Sequence, residues 1–119
     1  MYEQDWILRQ IYLTVQMIAK LVLNKETARY EIINEIKNTD SDILYIRLSK
    51  LIDIHAFNEA ENLLYEYMDQ RSEELLHVSI DFYNKLNEFD DKTLEKNDYS
   101  RQEIIDGLEK IKKIFGIAF

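Results

Sequence analysis

The sequence predicts an all-α fold of five to six helices packed as antiparallel hairpins. Three observations carry this. Proline is absent and glycine occurs only at 107 and 116, so the residues that interrupt helices and build hairpin turns are almost missing. Leu, Ile, Glu, Lys and Asp dominate the composition, as in helical proteins with short polar connections. Apolar residues recur at intervals of three and four along most of the chain, the period of a helix with one buried face.

The first helix is expected over Glu3 to Leu23. Trp6, Ile7, Ile11, Thr14, Val15, Ile18 and Val22 form an inward stripe, and Leu8, Tyr12, Met17, Leu21 and Leu23 widen the apolar character well beyond one face. Such a helix needs neighbours on more than one side, either within the bundle or from a second copy of the chain. Asn24 and Lys25 break the pattern, and a second helix is expected over Glu26 to Lys37 with Tyr30, Ile32, Ile33 and Ile36 inward. The polar run Asn38 to Ser41 supplies N-cap candidates for a third helix, Asp42 to Ile54, whose core positions are Leu44, Leu48, Leu51 and Ile52.

The chain is expected to turn at His55, Ala56 and Phe57. Asn58 with Glu61 fits an N-cap and its reciprocal acid, opening a fourth helix that presents Ala60, Leu63, Leu64, Tyr67 and Met68. Ala60 is small enough to let this helix approach the third closely. Ser72, Glu73 and Glu74 open a fifth helix with the clearest stripe, Leu75, Leu76, Ser79, Phe82, Tyr83, Leu86 and Phe89. Asp90 to Tyr99 reads as a polar connector with one helical turn around Leu94. Ser100 with Glu103 caps a last helix carrying Ile104, Leu108, Ile111 and Phe115, with Gly116 as its C-cap. No linker divides these elements, so one domain over residues 1–119 is expected, with the hairpin from Ile43 to Tyr67 as its organising unit.

The absence of cysteine excludes disulfides, thiolate metal sites and a thiol nucleophile. The acids Glu3 and Asp5 stand where a secretory signal would carry bases, and no small-residue cleavage site follows, so a cytoplasmic location is expected. The formal net charge of −8 opposes binding to nucleic acid and to anionic membranes. It is concentrated: between Asp53 and Asp91 lie eleven acids and two bases, whereas the remainder is nearly neutral.

No arrangement of residues marks a reaction. The serines fall mostly at expected caps, no glycine-rich phosphate loop exists, and paired nucleophile and base motifs are missing. His77 has Glu73, Glu74 and Asp81 at helical spacing, which brings several metal-ligating groups to one side. A helical di-iron bundle needs two Glu-x-x-His pairs, and the chain has one. Neither a metal nor another cofactor is therefore expected. The eight tyrosines suit either a binding surface or the edge of a core, with hydroxyls in water.

The turn IHAFNEAENLL is similar to the middle of a tetratricopeptide repeat, with an aromatic at Phe57, small Ala60 and large Leu64. The resemblance implies repeat-like packing of that hairpin. The chain also resembles a family of short uncharacterised bacterial proteins, mostly from Firmicutes. The shared residues are Met1, Tyr2, Asp5, Trp6, Ile7, Leu8, Arg9 and Ile11, then Ala60 to Leu64, Phe82, Tyr83, Leu86, Asn87, Ser100, Glu103, Ile104 and Gly107. That resemblance implies a helical fold and no assigned activity.

The function expected from these features is non-enzymatic binding of a protein or peptide, with a basic partner selected by the acidic flank. Tyr45, Glu61, Asn62, Tyr65 and Glu66 are the residues expected to contact it. Two alternatives stand beside this: a small enzyme or metal-binding bundle centred on Glu74 and His77, and a homodimer joined through the N-terminal helix.

Overall fold

A computed structural model describes residues 2–32 and 38–119, with side chains from Trp6 onward; among them the chain forms six α-helices and no strand. Helix α1, Tyr2–Met17, runs directly into a π-helical turn, Ile18–Val22. It ends where Asn24 takes a left-handed φ of +55° and the Lys25 N–H reaches back to the Ala19 carbonyl at 2.8 Å.

The helix expected from Glu26 to Lys37 is not formed over its described part, residues 26–32. That segment is held instead by side chains. The Tyr30 N–H donates to Asp81 Oδ2 at 2.8 Å and the Tyr30 hydroxyl donates to Asp42 Oδ1 at 2.7 Å, while Ala28 and Tyr30 are buried. A buried carboxylate thus accepts a donor that a helix would have used in its own ladder. Ile33 and Ile36, also expected in that helix, lie outside the described residues.

Helix α2, Asp40–Asp53, opens on a capping box: Thr39 Oγ1 accepts from the Asp42 N–H and the Asp42 carboxylate accepts from the Thr39 N–H. It closes at His55, whose φ of +59° lets the Ala56 N–H reach the Leu51 carbonyl at 2.9 Å. The His55 ring lies on Phe57 and edge-on to Phe89, with centroid separations of 5.5 and 5.2 Å. This packing holds a residue that is not glycine in the left-handed region.

Helix α3, Phe57–Glu66, starts earlier than its sequence suggests, and Asn58 does not cap it. Ala56 stands at the N-cap position with no side-chain bond, and the Asn58 amide donates to the Asp98 carbonyl at 3.0 Å. Burial of Phe57 in the core sets the start of the helix in place of a cap. Phe57, Ala60 and Leu64, the residues of the repeat-like turn, are wholly buried.

Helix α4, Glu73–Asn87, is capped by Ser72, as its sequence predicts. Its buried residues include Leu76, Val78, Ile80, Phe82, Tyr83 and Leu86, which point to every side of the helix. α1, α2 and α6 pack directly against it. The organising element is therefore α4 and not the α2–α3 hairpin, because apolar residues around most of its circumference need neighbours on several sides. The short α5, Asp91–Lys96, buries Leu94 and is capped by Asp90.

Helix α6, Arg101–Ile114, starts at Ser100 and ends in a two-bond reversal at Gly116, where the Ile117 N–H meets the Lys112 carbonyl at 2.8 Å. Buried Arg101 ties α6 to the end of α4. Its guanidinium donates to the carbonyls of Asn87 and Phe89, to the Asn87 side chain at 2.8 Å, and to Asp91 at 2.9 Å.

One face of α1 contributes Ile11, Val15 and Ile18 to the core, but Trp6 and Val22, expected inward, are exposed. No helix among the described residues is long and apolar enough to cross a membrane.

Candidate functional site

Of the five residues expected to meet a partner, three come together. Glu61, Asn62 and Tyr65 on α3 face Glu103, Asp106 and Lys110 on α6 across a cavity of about 230 Å³. On each helix the spacing explains the convergence: 61 and 65 lie one turn apart, and 103, 106 and 110 recur at three and four, so each set shares a face. Behind Glu61 and Gly107 lies an aromatic from a third element. Tyr83 of α4 rises between the two helices and is wholly buried.

Gly107 makes this possible, because a Cβ built there would overlap the Tyr83 hydroxyl and Cζ. A glycine inside a helix lowers its stability, and here the missing side chain is replaced by the phenol of another helix. Tyr83 donates to Glu61 Oε2 at 2.6 Å, Tyr99 donates to the same oxygen at 3.0 Å, and the Tyr65 and Tyr83 hydroxyls lie 3.0 Å apart. Glu61, expected to be a helix-capping acid as well as a contact residue, is thus a half-buried carboxylate stabilised by hydrogen bonds from two phenols.

Burial first, and the Glu61 charge second, push the Tyr83 and Tyr99 hydroxyls well above their ordinary value. Tyr65 moves the same way by burial. All three remain protonated donors at neutral pH, so the cluster offers fixed hydrogen-bond geometry and a carboxylate and carries no proton-transfer pair near pH 7. Above it, Lys110 Nζ stands 5.1 Å from the centre of the Tyr65 ring, a cation held on an aromatic face.

The other two expected residues lie elsewhere. Tyr45 on α2 packs on Tyr30, and Lys85 both donates to its hydroxyl at 3.0 Å and sits 4.3 Å from its ring centre. Glu66 is exposed at the end of α3 and does not line the groove.

The set Glu73, Glu74, His77 and Asp81 does not assemble. Asp81 is buried and bound to the Tyr30 N–H and to Lys85 at 3.1 Å. Glu73, Glu74 and His77 line a separate cavity of about 550 Å³ with Lys25, Arg29 and Tyr30. No three His, Asp or Glu side chains converge as metal ligands among the described residues. His77 is edge-on to Tyr30 at 5.4 Å, and its Nε2 is buried without a protein partner. Burial lowers its pKa, against the opposing pull of Asp81.

The α6 side of the groove and the tyrosines beneath Glu61 are absent from the sequence reading. Glu103, Asp106 and Lys110 look like an ordinary solvated face, because they alternate correctly with core residues Ile104, Leu108 and Ile111. One signal was available: Gly107, isolated in an otherwise regular helical pattern, marks a place where something approaches the backbone.

No curated protein and no solved structure matches the chain. A family model matches residues 1–116. The chain therefore belongs to the family of unknown function DUF6483.

Proposed function

We propose that the protein is a non-enzymatic binding domain that holds a basic segment of a partner protein in the groove between α3 and α6. The observation that carries the reading is the meeting of Glu61 and Tyr65 with Glu103 and Asp106 around a space of about 230 Å³. That is smaller than the ~300–1,000 Å³ of pockets for drug-sized ligands and suits one long side chain. A lysine or arginine stem would lie along Tyr65 with its charge among the carboxylates. The chain's own Lys110, 5.1 Å from the centre of that ring, supports the reading that an ammonium sits favourably beside it. Exposed Glu59, Glu66 and Asp69 extend the acidic surface along the same hairpin and would steer a basic partner to it.

Two arms test this. Lysine- and arginine-containing peptides are titrated against the wild type and against the Glu103→Lys, Asp106→Lys variant, by fluorescence anisotropy at low and high salt. Binding is expected to weaken at least tenfold in the variant and to fall with salt, since both carboxylates are partly or fully exposed and act through charge. Binding indifferent to both changes would overturn the proposal. Pull-down with the purified domain at both salt concentrations then identifies the partner.

A further inference from the structure

The outer face of α1 carries a second apolar surface, independent of the groove. Trp6, Leu13, Met17 and Leu21 follow one another at intervals of seven, four and four, which places them in one stripe on the side opposite Ile11, Val15 and Ile18. Their exposures are 60%, 48%, 42% and 68%. At roughly 150–250 Å² for large side chains, the stripe leaves on the order of 400 Å² of apolar surface in water. A patch of that order is comparable to the largest that a typical monomer exposes, and such patches are often functional.

We infer that this stripe is the seam of a homodimer in which α1 of one copy packs antiparallel on α1 of a second. Charge favours a copy of the same chain. The protein carries −8 in total, so two copies repel across most of their surfaces. From Trp6 to Lys25, however, there is no acidic residue, and this is where two copies can meet without that penalty.

Exposed Gln10 lies on the same face between Trp6 and Leu13, and Arg9, Gln16 and Lys20 flank the stripe, so the seam has an apolar centre with polar residues at its edge. The stripe is also self-complementary. With the twofold axis between Leu13 and Thr14, Trp6 of one copy faces Leu21 of the other, and Leu13 meets its symmetry mate. The largest ring of the stripe thereby covers its most exposed aliphatic side chain.

Light scattering coupled to size exclusion tests the state, and engineered cysteines test the geometry in a chain that has none of its own. The wild type is expected at twice the 14.4 kDa chain mass at high micromolar concentration. Leu13→Glu, at a position half in water, is expected to keep the helical circular dichroism, and the melting temperature at dilutions where both proteins are monomers, while weakening association at least tenfold. On mild oxidation Leu13→Cys is expected to cross-link to itself. Trp6→Cys is expected to cross-link to Leu21→Cys when the two are mixed, but not to itself. A wild-type monomer at high micromolar concentration overturns the inference, as does a dimer that Leu13→Glu leaves unchanged. Cross-linking of Trp6→Cys to itself overturns the antiparallel arrangement. Monomers that float with phosphatidylcholine–phosphatidylglycerol vesicles, and lose this with Leu13→Glu, would overturn the dimer and give the stripe to lipid. None of these readouts depends on the α3–α6 groove.

Discussion

Replacing Gly107 by alanine should destabilise the protein, although the same change in an ordinary helix interior stabilises it. Alanine gains about 1 kcal/mol over glycine through backbone entropy and propensity. Against this, the new methyl would overlap the hydroxyl and Cζ of Tyr83, a rigid ring with no exposure that cannot swing into solvent. Overfilling a packed core costs about 1–3 kcal/mol. Displacing the phenol also weakens its bond to the Glu61 carboxylate, of a kind worth about 1.5–3 kcal/mol. The balance is a net loss of about 2–4 kcal/mol, or a fall in melting temperature of about 10 °C for a chain of this size. Guanidinium denaturation followed by circular dichroism reads it directly. Tyr83→Leu removes the ring, so in that background Gly107→Ala should lose most of its effect, a coupling that the double-mutant cycle isolates. A Gly107→Ala variant as stable as the wild type would refute the claim that the phenol rests on the glycine, and with it the account of how α3 and α6 are held around Tyr83.

Three further outcomes follow from the structure. Arg101→Met should cost about 3 kcal/mol, because it strips donors from the carbonyls of Asn87 and Phe89 and from the Asn87 side chain, and Arg101→Lys should not restore it, since an ammonium cannot reproduce the fork. Chemical denaturation of both variants checks this, and full rescue by lysine would contradict it. Arg71→Gly should stabilise the chain by about 1 kcal/mol, since exposed Arg71 holds a φ of +45° after a short 3₁₀ turn; an unchanged denaturation midpoint would count against strain at that turn. For His77 the folded pKa lies below the ordinary 6.5, so the unfolded chain takes up a proton first as pH falls. Its share of stability is complete above that value and is lost as pH drops through it towards the folded pKa. His77→Gln should therefore flatten the decline in unfolding free energy between about pH 8 and pH 5.5; equal declines in the two proteins would refute the burial effect.

Local features of the fold were legible where one element settles its own end or face. Thr39, Ser72 and Ser100 are caps because a hydroxyl and the N–H three residues on lie within the same turn. Gly116 ends α6 because a residue without a Cβ adopts the left-handed bend at no steric cost. What misled was any residue whose partner lies far along the chain. Asn58 and Glu61 match an N-terminal signature, yet Asn58 bonds to Asp98 and Glu61 to Tyr83 and Tyr99, so long-range donors and acceptors outcompeted the local box. Residues 26–32 have helical periodicity, but Asp81 and Asp42 claim the N–H and hydroxyl of Tyr30.

By itself, then, the amino-acid order determined an all-helical chain, most helix starts and stops, and the identity of the buried faces, because propensity, capping and period act within a few residues. Only the tertiary structure decided that α4 is enclosed, that the two tyrosines meet one carboxylate, and that half of the groove comes from α6. Each of these depends on which faces are brought together across tens of residues, and sequence spacing carries no term for that.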